Sequence, residues 1–447
     1  MRRFRFAFAL VLSLSLATIV PPAVADEDDA TRNSPNLSMV ARIAGIGGTD
    51  IELFTRSLTT YKDAAGAMIT SETPVNRHFA MVGGSAGGRG ARFVDVSNPE
   101  APYIVSEMGT NCSVGQGDVQ VTVDGMLAAI AKQGSGTCRT VGGKTLTNGS
   151  ALVDIADIYA PKVVGLVEQA GGSHNHTLHP SGKYLYISPS LEFPGGPGNS
   201  AIPIWDISDP TAPRFIKNFT TPGNGPHDVR FSKDGKRAYV ASVSTYYILN
   251  TENPENPTVI STMVPPGGYI GHDTLVTPDK AFVILGDEAG GGANYPCPGG
   301  AIYIYDIRDE TKPLLVGFGE AGGGPVAPRN LDDPGTTGVG VPGGCTSHVM
   351  ELNPDNKSLS IGWYSLGTRT FSFASLYNAD GTPKPTGQIA ASWGKNGVGL
   401  VETGYIIPDA SSTWSAKQFA GVPGYIFSNA GGTGGGLYVT KITGPSY

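Results

Sequence analysis

The chain is poor in the residues that build metal and redox sites: four cysteines and seven histidines stand among 447 residues. No two cysteines form a CxxC pair, which argues against a thiolate metal centre. Clustered Lys and Arg are missing too, so neither nucleic acid nor anionic lipid is expected as the main partner. After the first 25 residues no apolar run approaches the roughly 18 residues a membrane span needs, which excludes membrane insertion of the remainder. The chain lacks HExxH, and no strand-to-helix nucleophile elbow is read in it. "GGSAGGRG" at 83–90 joins two strand patterns and opens no helix, so it lacks the dipole that a phosphate cradle uses.

What is present begins with a leader. Arg2, Arg3 and Arg5 precede the apolar "AFALVLSLSLATIV", and "AVA" ends at Ala25, the pattern of a cleavable export signal. A secreted or periplasmic location is expected, with an acidic and polar linker at 26–36 and a single domain over 37–447. Without the leader's three arginines the formal net charge is −10. The 63 glycines and 34 prolines are many, yet 40% hydrophobic residues suffice for a folded core.

A phrase recurs along the chain. "ARFVDVSNPEAPYIV" at 91, "ALVDIADIYAPKVVGLV" at 151, "IPIWDISDPTAPRFIKNF" at 202, "YYILNTENPENPTVISTM" at 246 and "IYIYDIRDETKPLLVGFG" at 302 align Asp95, Asp154, Asp206, Asn250 and Asp306. Each reads as strand, Asp or Asn turn, strand, at a period of 44 to 59 residues. In the unit around Asn250 the strands are "HDVRF", "RAYVAS", "YYILN" and "TVISTM". Four short strands per unit predict a β-propeller blade. "TRTFSFASL" at 368–376 and "GGLYVTKI" at 435–442 supply a sixth and seventh unit. The expectation is therefore an all-β, seven-bladed propeller. "LSMVARIAG" at 37–45 reads as an outer strand with no companions before it, and it is expected to complete the last blade and close the ring.

"FVDVSNP" and "IWDISDP" resemble the strand-and-turn style of LVIVD-repeat secreted propellers, over most of residues 37–443. They are distantly similar to the "DISDP" turns of the selenium-binding protein and methanethiol oxidase family. That resemblance implies copper-associated oxidase chemistry, although the cysteine-rich segments of that family have no match here.

Aligned on Gly182, Gly235, Lys280 and Asn356, the units place His174, His227, His272 and His348 in one column, each eight residues earlier. In a propeller the first strand lines the central channel, so one column means one height on the axis. Four consecutive blades would offer imidazoles to one point, a metal site for Cu or Fe first, Zn or Mn second. The column continues with Thr49 and Gly117. Asp50, Asp118, Asp228 and Asp273 follow the column, and His176 lies beside it; their expected role is to orient ligands, against a plain turn-capping role.

Long loops fall on the histidine side and would carry binding. Their candidates are Arg89, Arg92, Glu192, Asp287, Glu288, Tyr295, Trp363, Tyr364 and Arg369, of which Glu192, Tyr295, Tyr364 and Arg369 are the preferred catalytic ones. Blade topology pairs Cys112 with Cys138 and Cys297 with Cys345, as disulfides in an oxidising compartment. Three functions fit these residues: a metal-dependent oxidoreductase, a polysaccharide lyase or hydrolase using the channel histidines, and a non-catalytic extracellular binding or adhesion propeller. A small molecule or glycan is the expected substrate and a monomer the expected state. The oxidoreductase leads on the premise that no carboxylate joins the histidines as ligand.

Overall fold

The computed structural model describes residues 33–84, 91–108, 117–132, 138–139, 145–146, 148–189, 201–223, 225–268, 270–288, 300–321, 346–387, 398–408, 412–432 and 435–444. These form seven four-stranded antiparallel sheets in consecutive order, the blades of a β-propeller. The strands nearest the axis in blades 1 to 7 are Gly48–Lys62, Val119–Val121, Asn175–Leu178, Pro226–Phe231, Gly271–Val276, Met350–Leu352 and Ser412–Phe419. Leu37–Ala44 is the outer strand of blade 7 and pairs with Gly436–Ile442, so the two ends of the chain close one sheet.

Sequence chemistry accounts for each blade's shape. The aspartate or asparagine of the recurring phrase uses its Oδ1 to accept the amide two residues on: Ser97 from Asp95, Ala156 from Asp154, Ser208 from Asp206, Glu252 from Asn250 and Arg308 from Asp306, at 2.8 to 3.0 Å. That side-chain turn ends the third strand in register every time. The hairpin before it needs one left-handed residue. Gly182 and Gly235 supply it at φ 70° and 68°, and Lys280 and Asn356 adopt φ 55° and 56° at the equivalent position.

The middle strands are buried on both faces because neighbouring blades stack on them. Phe282–Asp287 and Ile302–Asp306 expose nothing, and Tyr239, Ile248, Val283, Leu285, Tyr303 and Phe318 knit blade 4 to blade 5. Side chains of this size contribute about 1.5–3 kcal/mol each on full burial. One expectation needs correction: the strand read through "TRTFSFASL" ends at Ser372, and Ala374–Leu376 is a 3-10 turn. The chain leaves the ladder after Ser372, with the Phe373 amide donating to the Lys357 carbonyl.

Candidate metal centre

The four column histidines sit on irregularities of the inner strands. In blade 4, Pro226 pairs with Ser242 and Asp228 with Ala241, leaving His227 as the extra residue; in blade 5, Gly271 pairs with Asp287 and Asp273 with Gly286, leaving His272. His348 and Val349 both face Gly362, and His174 and Asn175 both face Ser188. Blade 7 repeats the shift at Trp414, and blade 1 at Thr49 and Asp50. A bulge bends the strand and turns consecutive side chains toward the same side. This is how a histidine and the residue after it both reach the axis.

The imidazoles form an arc around the channel. Ring centroids are 4.6 Å apart from His174 to His227, 4.4 Å from His227 to His272 and 3.9 Å from His272 to His348. Glu288 lies above the arc. It follows the second strand of blade 5, and its amide donates to the Ile270 carbonyl, two residues before His272. Its Oε2 stands 4.0 Å from His227 Nε2 and 3.9 Å from His272 Nε2, and its Oε1 3.9 Å from His348 Nε2. His227, His272 and Glu288 offer ligand atoms that all lie within 4.8 Å of one another, a buried group able to hold a metal ion. The premise of a carboxylate-free ligand set is thereby corrected. Periodicity aligns the blades' repeated strands, whereas Glu288 comes from a connection that does not repeat.

Hydrogen bonds prepare the ring nitrogens. His348 Nδ1 donates to the Trp414 carbonyl at 2.8 Å, and His227 Nδ1 faces the His272 carbonyl at 3.3 Å, which leaves Nε2 as the inward atom. His174 and His227 share a proton between their Nε2 atoms, 3.0 Å apart. His272 is 2% exposed, and among the described residues neither of its ring nitrogens has a hydrogen-bond partner. An unpartnered buried donor–acceptor group of this kind is costly without a ligand. Burial pushes His174 down to about 4 and His348 to about 3. His227 and His272 fall well below the usual imidazole range, through burial first and then through their histidine neighbours. All four are neutral at neutral pH, so their contacts with Glu288 are not ion pairs; neutral imidazole is the form that binds metal. Burial raises Glu288 to about 7, opposed by a hydrogen bond from Tyr364 Oη and reinforced by the Asp287 charge.

The four aspartates do not touch the imidazoles through any hydrogen bond described. Asp118 accepts the His176 amide of blade 3, and Asp273 accepts the Met350 amide of blade 6 while pairing with Arg230 at 3.2 Å. Asp228 accepts the Val229 amide, and Asp50 pairs with Lys417 at 3.1 Å. Their chemistry follows from the fold: inner strands present unpaired amides to the channel, and carboxylates satisfy them. Backbone carbonyls, those of Trp414 and His272, take the imidazole protons. His176 bonds Ser150 Oγ at 2.8 Å, inside the blade rather than on the axis.

Among the loop candidates, Tyr364 joins the centre: it donates to Glu288, its ring lies 4.8 Å from His348, and its backbone is held at φ 41°. A tyrosine in the left-handed region stores on the order of 1–3 kcal/mol, a strain often found at functional sites. Arg369 is elsewhere, fully buried with Glu402 at 2.7 Å and its guanidinium over Tyr405. Arg92 pairs with Glu107 at 2.9 Å, Asp287 accepts the Ile270 amide, and Trp363 is core. Glu192, Tyr295, Arg89, Cys112, Cys297, Cys345 and the Cys138 side chain lie outside the described residues. Trp414, 4.7 Å from His348, escaped the sequence reading because blade 7 carries no histidine to mark its column.

Below the arc, on the side away from Glu288, the channel holds a cavity of about 40 Å³ whose walls include Thr49, Gly117, His174, His272, His348 and Trp414. Asp50, Glu52, Asp118, Asp228, Arg230 and Lys417 line its lower part. Thr49 Oγ1 donates to the Gly117 carbonyl at 2.7 Å and so fixes the wall that faces the histidines.

No family model matches the chain, and no curated protein matches it. Solved structures do. The β-propeller domain of Cps50 (Swd1) from Myceliophteria thermophila superposes with a TM-score of 0.52 at 8% identity, over 92% of this chain and 100% of that one. The periplasmic gluconolactonase PpgL of Pseudomonas aeruginosa gives 0.46 at 15% identity, over 80% and 100%. A functionally unknown protein from Desulfotomaculum acetoxidans gives 0.44 at 14%, over 77% and 88%. The Cps50 likeness, at its low identity, speaks for the propeller fold and for nothing about activity.

Proposed function

We propose that the protein is a metal-dependent oxidoreductase whose ion is iron, held by His227, His272 and Glu288 with His348 and His174 adjoining. The observation that carries this reading is the convergence of Glu288 Oε2 on the Nε2 atoms of His227 and His272 at 4.0 and 3.9 Å. Two imidazoles and one carboxylate with positions left open are the donor set of non-haem iron oxidising enzymes, and the carboxylate tips the choice from copper toward iron. The unpartnered Nε2 of His272 supports it, since a bound ion would satisfy that atom. Iron there would supply one-electron redox chemistry and an open position for a small ligand. The chain's own part is to hold the imidazoles neutral by burial, to fix Nε2 inward through carbonyl partners, and to orient Glu288 by the Tyr364 hydroxyl. Export through the leader, and a small-molecule substrate, complete the proposal.

Elemental analysis of protein purified without added metal, and again after anaerobic reconstitution with Fe(II), tests it. Wild type should retain about one equivalent, and His272→Ala and Glu288→Gln should bind at least tenfold more weakly. His179→Ala is the control: His179 is buried against Gly235 in another part of the blade, so its loss should affect melting and leave metal content intact. A wild-type protein that retains no Fe, Cu, Mn or Zn after reconstitution would remove the metal reading and favour a binding propeller. Retention of Zn alone would favour the hydrolase or lyase.

A further inference from the structure

The cavity beneath the histidines has a size and a position that the metal reading does not by itself use. At about 40 Å³ it has room for about three waters, since one needs ~10–15 Å³ of the same measure. Above the arc stands Glu288; below it lies this cavity. A ligand entering from below therefore meets the histidine nitrogens from the side opposite the carboxylate. Two ion-pair groups frame the lower end. Arg230 reaches Asp273 and Glu351 at 3.2 Å, and Lys417 reaches Asp50 and Glu52 at 3.1 and 3.4 Å. Lys417 is 4% exposed, whereas Arg230, Glu52 and Glu351 are 25 to 30% exposed, so this end reaches solvent. Beside the imidazoles the cavity is lined by Gly117, Trp414, Asn175, Val349 and Thr49. Gly117 has no side chain to offer, and the Trp414 ring is packed against His348 and Tyr364. Asn175 donates to the His227 carbonyl, and of these side chains Thr49 is the buried one, 3% exposed and pinned by its hydroxyl.

We propose that this cavity is the binding site of a neutral ligand of two or three heavy atoms, the size class of dioxygen or peroxide, and that Thr49 sets the size limit. The lining favours neutral ligands because its two cations, Arg230 and Lys417, are already matched by Asp273, Glu351, Asp50 and Glu52 and have no charge left for an anion. An anion would enter against that balance. Thr49 acts by shape alone: it makes no bond to the histidines, and its hydroxyl is spent on the Gly117 carbonyl. This inference rests on the metal reading of the site above, and its test separates the two.

Full-length protein reconstituted with Fe(II) is titrated under anaerobic conditions with nitric oxide and with tert-butyl isocyanide, two neutral iron ligands that differ in bulk, and binding is read by absorbance and electron paramagnetic resonance. Iron content is measured on the same samples. Wild type should bind nitric oxide and exclude the isocyanide. Thr49→Leu should weaken nitric oxide binding at least tenfold at unchanged iron content, and Thr49→Ala should admit the isocyanide at least tenfold better. Wild type that binds the isocyanide as readily as nitric oxide would overturn the inference, as would an unchanged isocyanide affinity in Thr49→Ala. The latter comparison stands even if Thr49→Leu fails to fold. A wild-type sample with no iron would instead overturn the metal reading.

Discussion

At the scale of single residues, the buried histidines make the metal-free protein sensitive to acid. His174 and His348 have folded values of about 4 and 3, below the usual 6.5, because burial penalises the imidazolium. The sign follows: their contribution is full above pH ~6.5 and is lost as pH falls through the window down to those folded values. The full loss from the pair is on the order of 8 kcal/mol. Glu288 works the other way, since its value is raised to about 7; its contribution is present below the ordinary carboxylate range and lost as pH rises through neutrality. Metal-free protein melted between pH 4 and 8 should show a steep acid limb, and His174→Gln with His348→Gln should flatten it. An acid limb unchanged in the double variant would refute the assignment. How legible these residues were depends on what repeats. The histidine column stands out because four blades carry it at one offset. Glu288 was visible only as one of nine loop candidates, and nothing in its neighbourhood tells a ligand from a solvated acid.

At the scale of elements, the hairpin turns make an opposed pair of predictions. Gly235 is at φ 68°, and a Cβ there would stand 2.5 Å from His179 Nε2. Gly235→Ala should destabilise by about 2 kcal/mol, from the left-handed backbone plus the displaced ring. Lys280 holds the equivalent place at φ 55°, so Lys280→Gly should stabilise by up to ~1 kcal/mol, the relief of strain being partly offset by glycine's freedom in the unfolded chain. Urea titrations of both decide it; equal signs would mean that the turn conformation does not control the blade. The strands themselves were readable in detail. "RAYVAS" and "TVISTM" coincide with Arg237–Ser242 and Thr258–Met263. The bulges were not, because an extra residue in a ladder leaves the composition of a strand unchanged and shows only in pairing. That is also why the aspartates looked like partners of the imidazoles: adjacency in sequence does not reveal that they hold backbone amides or cations instead.

At the scale of the whole molecule, stability depends on a strand from one end of the chain lying beside a strand from the other. Leu37 and Ala41 are 2% and 3% exposed within the closing strand, Ala41 opposite Val439. Ala41→Asp would bury an unpaired carboxylate there and should lower stability by about 3 kcal/mol. Limited proteolysis should then cut first in blade 7; a loss spread evenly over the blades would show that closure is not the weak point. The closing strand was legible as an outer strand without companions.

The same closure makes the position of the chain ends arbitrary. The Thr443 amide donates to the Asn36 carbonyl at 2.9 Å, so in a chain cut to residues 36–443 a few glycines could join Thr443 to Asn36 without disturbing either strand. A gene rewritten to start within an exposed hairpin turn of another blade should yield the same ring, with its seam moved and the imidazole arc left in place. Circular permutation therefore offers a way to ask whether blade 7 was chosen as the seam because it carries Trp414 in place of a fifth histidine.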